Sequence, residues 1–370
     1  MTSTTATMLP PRSEVGLVGW LRKNLFSSPV NALLTVVGVW IIWKVVSAAV
    51  SWAFLNATFE GSDGSFCTRE GGGGAGACWP FIQAKFSQFM YGRYPEPQRW
   101  RVDLTYVLAV AGLVPLMIPA VPGKLFNTLY MIVFFPIAAF FLLVGGYFGL
   151  PYVPTELWGG LLVTLVVASV GISGAFPIGI ILALGRRSKM PIVRWVSVGF
   201  IELVRGVPLI TVLFMASVML PLFLPDGITI DKLLRALIMV ALFSAAYLAE
   251  VIRGGLQAIP RGQFEAADAL GLTYAQKMGL IVLPQALKLV IPGIVNTFIG
   301  LFKDTSLVLI IGIFDLLGIV QLNQSDQKWF SPSTGMTGYV FAGFVFWIFC
   351  FSMSRYSLFI ERRLAAGDRR

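Results

Sequence analysis

The sequence contains no histidine in 370 residues. Ser-His-Asp, Cys-His and His-metal catalysis are therefore excluded. Its three cysteines are too few for a four-thiolate zinc or iron–sulfur site. Charge is also scarce. Only 12% of residues are Asp, Glu, Lys or Arg, against about 25% in soluble globular domains, which excludes a water-solvated globule of this size. Nor is there a Gly-X-X-X-X-Gly-Lys-Ser/Thr loop, because the sole Gly-Lys pair, Gly123-Lys124, is followed by Leu125. The chain thus has no evident phosphate cradle with which to hydrolyse ATP.

What the sequence has in quantity is hydrocarbon. Hydrophobic residues make up 56% of it, in runs long enough to cross a hydrocarbon core of roughly 30 Å. The pattern predicts an all-α, polytopic membrane protein with about eight spans, at 30–55, 104–121, 125–150, 156–184, 195–223, 233–252, 289–321 and 337–358. The excess of 28 Lys and Arg over 18 Asp and Glu invites a nucleic-acid reading, but placement argues otherwise. With the N-terminus inside, seventeen of these bases fall on inside segments and eight outside, while Lys44, Arg205 and Lys303 lie within spans. The positive-inside rule then makes both termini cytoplasmic, and no nucleic-acid partner is called for.

Residues 1–29 read as a cytoplasmic tail and not a signal peptide, since no small-residue cleavage site follows a short apolar core. Residues 365–370 read as a second tail. A three-span extension, 30–152, carries a long outside loop at 56–101 in which Cys67 and Cys78 flank the flexible run Gly71-Gly72-Gly73-Gly74. On an oxidising side, a disulfide closing that loop contributes roughly 3 kcal/mol or less. Two free thiols in a disordered loop are the alternative. Cys350 reads as apolar filler of the last span. Lys44 sits near the middle of the first span, where a charge costs at least about 2.5 kcal/mol. A headgroup, a neighbouring subunit, a buried acid or snorkelling could each relieve that cost. A composition shift near Val153 opens a five-span part, 153–364, whose one long inside loop runs over 253–288.

That loop is the most informative stretch. Pro260 favours a turn, Gln263 to Leu270 is rich in helix formers, and Gly271 supplies a left-handed helix end. Thr273 with Gln276 makes a capping box for a new helix from Tyr274, expected to stop or kink at Pro284. The expectation is a short two-turn helix with a sharp corner. It has an apolar stripe of Phe264, Ala267 and Leu270 and an acidic one of Glu265 and Asp268, suited to a basic cleft on another protein.

Glu265-Ala266-Ala267, then Gly271, then Ile281-X-Leu283-Pro284 resemble the EAA loop of ABC importer permeases, with three residues between Ala267 and Gly271 and nine between Gly271 and Ile281. The resemblance implies that Phe264, Glu265, Ala266, Ala267, Asp268, Leu270, Gly271, Ile281, Leu283 and Pro284 form a coupling site for a separate ATPase. That ATPase would hold ATP-Mg, and no cofactor is expected in this chain. Leu157 to Leu165, Phe200 to Leu209, Ala245 to Gly255 and Lys303 to Leu307 look like the corresponding stretches of polar amino-acid permeases of the histidine/glutamine type. The extension resembles the larger permease subunit of general L-amino-acid importers. Implied partners are ABC ATPase subunits, a second, non-identical permease subunit and a periplasmic amino-acid-binding protein, in the lipid bilayer of a bacterial inner membrane.

Counted from the inside flank, Glu202 and Arg205 lie roughly 12 and 16 Å deep, and Lys303 and Asp304 roughly 22–24 Å. Glu202 and Arg205 are spaced to pair at i, i+3. An amino-acid zwitterion needs a base for its carboxylate, Arg205 or Lys303, and an acid for its ammonium, Asp304 or Glu202. Thr305 and Ser306 extend the polar cluster and are expected to interrupt a helix. Internal ion pairs that lock helices explain the same charges. Two other functional classes remain open: an ion-coupled secondary transporter using Glu202, Arg205 and Asp304 as a relay, and a membrane scaffold.

Overall fold

The computed structural model describes residues 16–68, 76–225 and 227–367. The glycine run 71–74, Asp226, most of the first tail and the end of the second lie outside the described residues. Among those described, the elements are helices, with only isolated bridges and no strand. Seven helices are long and apolar enough to cross a membrane, and a bent pair, Pro191–Arg205 with Leu209–Phe223, makes an eighth.

The chain divides into two units. The first comprises residues 1–81 and 328–336. It contains α1 (Gly16–Asn24) and α2 (Pro29–Val50). Ser28 caps α2 by accepting from the Asn31 N–H, and Pro29 takes the first turn, where no donor is lost. No residue of α2 is buried. Lys44 lies 6.0 Å from the Trp40 ring centroid. Beyond a π-turn at Ser51–Leu55, Cys67 and Cys78 are joined by a disulfide. Asp63 caps the 3-10 turn Gly64–Cys67 through the Ser65 N–H, and the two bonds from Ser65 hold its carboxyl below the usual range. Gly64 lies so close to the 328–336 segment that a Cβ there would stand 2.7 Å from the Trp329 carbonyl carbon. Trp329 packs on Phe81 at 6.1 Å, and the Ser333 hydroxyl donates to the Cys67 carbonyl at 3.3 Å.

The second unit holds 82–327 and 337–370. Its helices are α3 (Trp79–Tyr91, which begins in the first unit), α4 (Arg99–Met117), α5 (Lys124–Val144), α6 (Gly160–Arg186), α7 (Pro191–Arg205), α8 (Leu209–Phe223) and α9 (Lys232–Ala258). They continue as α10 (Arg261–Ala269), α11 (274–289), α12 (Ile291–Ile311), α13 (Leu316–Asn323) and α14 (Thr334–Gly367, whose first turn lies in the first unit). Helix α9 is the most buried of the long apolar helices and packs along α6. The contact is made by small residues, as membrane helices without a hydrophobic drive between them require. Gly171, Ala175, Gly179 and Ala183 recur every fourth position of α6 and are buried. A Cβ at Gly179 would fall 2.9 Å from the Leu248 Cβ.

Arg101, expected as an outside-loop charge, is wholly buried. Its guanidinium donates to the carbonyls of Leu142, Leu143 and Pro151 and to Gln98 Oε1. It ties α4 to the end of α5 and the turn that follows. Asp315 is also fully buried, as the N-cap of α13 accepting from the Leu317 and Gly318 N–H groups. Burial pushes its carboxyl up to about 6 against those bonds.

Three sequence expectations change. The span expected at 195–223 is broken at 206–208, where α7 and α8 meet at 103°. Pro208 has no N–H to carry the ladder on and is itself extended at ψ 141°, so α7 ends at Arg205 with Gly206 as its cap. The break falls beyond Arg205, so Glu202 and Arg205 both stand on α7. The span expected at 289–321 ends at Ile311, because Gly312 turns left-handed at φ +73°, and the residues after it form α13. The helix expected over 233–252 runs on to Ala258, into the stretch expected as the inside loop.

Candidate functional site

Helix α10 is a nine-residue rod between two corners. Pro260 opens it, and Gly271 closes it at φ +69°, with the Gly271 and Leu272 N–H groups bonded to the Asp268 and Ala267 carbonyls. Thr273 and Gln276 form the reciprocal capping box that starts α11. Pro284 does not end α11. A π-turn over Lys277–Val282 precedes it and shifts the ladder past the missing donor, so the helix continues to Leu289.

The faces of α10 divide differently from the expected stripes. Phe264 turns inward onto the cluster of Ile252, Leu256, Met278 and Val282, and Ala267 is buried. Leu270 points away and is 75% exposed. Glu265, Ala266, Asp268 and Ala269 are exposed beside it. The outer surface therefore joins acid and apolar groups. Asp268 forms an ion pair with Lys277, and Gln285 donates to Gln263 at 3.2 Å, both fastening α10 to α11. Ile281 and Leu283 are half-buried and Pro284 is exposed.

Behind α10 lies a cluster of five charges from three helices. Glu202 and Arg205 do not pair with each other. Arg186 at the end of α6 contacts Glu202 at 2.8 Å and Glu250 at 3.3 Å. Arg205 reaches Glu250 at 4.0 Å and stacks over Tyr247 at 5.7 Å, while the Arg253 Nε donates to Glu250 at 2.8 Å. Glu250 is the hub. Its i, i+3 spacing to Arg253 is the one local signal of this role in the sequence. Each pair is partly solvated and contributes about 1 kcal/mol or less, but together they clamp α6, α7 and α9.

The second polar group lies at the end of α12. Thr305 is buried and gives its hydroxyl to the Phe302 carbonyl, and Ser306 gives its own to Lys303 O. From Thr305 to Ile311 the helix tightens to 3-10 geometry. Lys303 is exposed and Asp304 half-buried, and neither enters an ion pair among the described residues. No group of three or more Cys, Asp or Glu that could hold a metal stands among them.

The family model described as "Binding-protein-dependent transport system inner membrane component" matches residues 175–366. The inner membrane amino-acid ABC transporter permease protein YhdY of Escherichia coli K12 is 55% identical, over 94% of this chain and 93% of its own. The glutamate/glutamine/aspartate/asparagine transport system permease protein BztC of Rhodobacter capsulatus is 41% identical, over 98% of each chain. A solved amino acid ABC transporter with histidines matches 55% of this chain and 92% of its own at 31% identity and TM-score 0.48. Fold and relatives together define a multi-pass inner-membrane transport component and not an enzyme. The chain belongs to the family of binding-protein-dependent transport system inner membrane components, and within it to the amino-acid ABC permeases.

Proposed function

We propose that this chain is the permease subunit of an ATP-driven importer of L-amino acids, worked by a separate ATPase that docks on α10, in an assembly with a second, non-identical permease and a periplasmic amino-acid-binding protein. One observation carries the reading: α10 is a short rod opened by Pro260 and closed by Gly271, anchored inward by Phe264 with Ala267 buried, and with Glu265 and Leu270 left facing outward. A rod held in this way transmits a push without bending. ATP is bound and hydrolysed by the partner, and closure of the ATPases moves α10 and turns the cavity outward. The differential contacts needed for such a shift include the cluster around Glu250. Glu202 and Arg205, committed to that cluster, serve as a lock between helices. Lys303 and Asp304 are the better candidates to meet a substrate carboxylate and ammonium, beside a tightened helix end of the kind that presents backbone groups to cargo. The termini lie in the cytoplasm. The segments 226–232 and 321–338 receive the binding protein, Asp226 itself lying outside the described residues.

Uptake in proteoliposomes containing all partners, with and without internal ATP, tests the reading. Uptake should require nucleotide, and uptake that follows an imposed ion gradient without it would establish the secondary-transporter alternative. Glu265→Arg should lower ATP-dependent uptake at least tenfold with insertion unchanged, and undiminished uptake would count against docking at α10.

A further inference from the structure

We infer that Arg187 is a positioning residue that joins the movement of α10 to the charge cluster around Glu250, an inference that rests on the docking reading above. Consecutive arginines end α6 and diverge. Arg186 enters the cluster through Glu202 and Glu250. Arg187 turns the other way: its Nη1 donates to the Leu256 carbonyl near the end of α9 at 2.7 Å, and its guanidinium stacks over the Phe264 ring of α10 at 5.7 Å. Phe264 is the inward anchor of the rod, so any displacement of α10 acts directly on this stack.

The surroundings make that contact consequential. Arg187 borders an open cleft of about 410 Å³ between the ends of α6 and α9 and the start of α10, together with Gln257, Arg261 and Glu265. Across such a gap the guanidinium is a strut, and not one contact among many in continuous packing. A planar, always-charged fork suits the task, since one face stacks on an aromatic ring while an edge N–H bonds a carbonyl. At its other end the strut meets a rigid joint. Gly185 abuts α7, where a Cβ would stand 2.2 Å from the Ser197 hydroxyl. A push on Arg187 therefore reaches α7 through Gly185 and the cluster through Arg186. The loaded ATPase would thus act on the Arg186–Glu202 and Arg186–Glu250 pairs by way of one neighbouring side chain.

The test uses the complete reconstituted complex with substrate-loaded binding protein. Arg187→Ala should reduce uptake at least tenfold while the ATPase still co-purifies and hydrolyses ATP, with hydrolysis no longer rising on addition of binding protein. Arg187→Lys keeps charge but not the flat stack, and should recover less than half of the uptake. Phe264→Leu, which removes the ring under the guanidinium, should lower uptake by a similar factor. Wild-type uptake in Arg187→Ala would overturn the inference. So would parallel loss of uptake and co-purification in both Arg187 variants, which would reduce the residue to fold support. A cross-link from Ala269→Cys to the ATPase separates the two proposals: its absence sinks docking itself, whereas its presence alongside coupled Arg187→Ala transport sinks only the strut.

Discussion

Two buried polar residues illustrate how single side chains set the terms of folding in this chain. Asp315 is enclosed, and its folded pKa of about 6 lies above the ordinary 3.8. The folded state therefore holds that proton more tightly than the unfolded one. The stabilisation is complete below about pH 4 and is lost as pH rises through about 6. Asp315→Asn keeps a carbonyl acceptor for the cap and removes the charge. It should flatten the melting profile between pH 4 and 6 and gain on the order of 1–3 kcal/mol at pH 7.5. Asp315→Ala should instead lose about 1 kcal/mol at low pH, where the cap is all that is removed. Arg101 is the opposite case, a fixed charge whose donors meet carbonyls and not acids. Neither behaviour was legible locally, and the backbone carbonyls that Arg101 meets lie 41 to 50 positions onward.

At the level of elements, what could be read depended on how far apart the cooperating atoms lie in sequence. The α10 corner was legible because Gly271, Thr273 and Gln276 act within a few residues of one another. The break between α7 and α8 was signalled by Pro208, but continuous hydropathy outweighed it. The partners of Glu202 were not legible, since Arg186 approaches from another helix, while the nearer Arg205 had the more persuasive spacing. The small-residue face of α6 gives a direct test. Gly179→Val should lower stability by roughly 1–3 kcal/mol, read as detergent melting temperature or as yield of assembled complex. Gly300→Ala meets nothing within 4 Å and should leave both unchanged.

For the whole molecule, the division into two units matters most, and the first unit carries the disulfide. Cys67 and Cys78 are 11 residues apart, so Cys67→Ser with Cys78→Ser should remove about 3 kcal/mol of local constraint. Trypsin should then cut faster near 59–81, with ATPase co-purification unchanged, and identical digestion patterns would count against a stabilising role for the bridge. The first unit is discontinuous: Trp329 and Ser333 lie more than 240 positions from the Phe81 ring and Cys67 carbonyl they cover. Anyone grafting this unit onto another permease must therefore transplant two separate pieces of gene, because the amino-terminal piece alone would arrive without its lid.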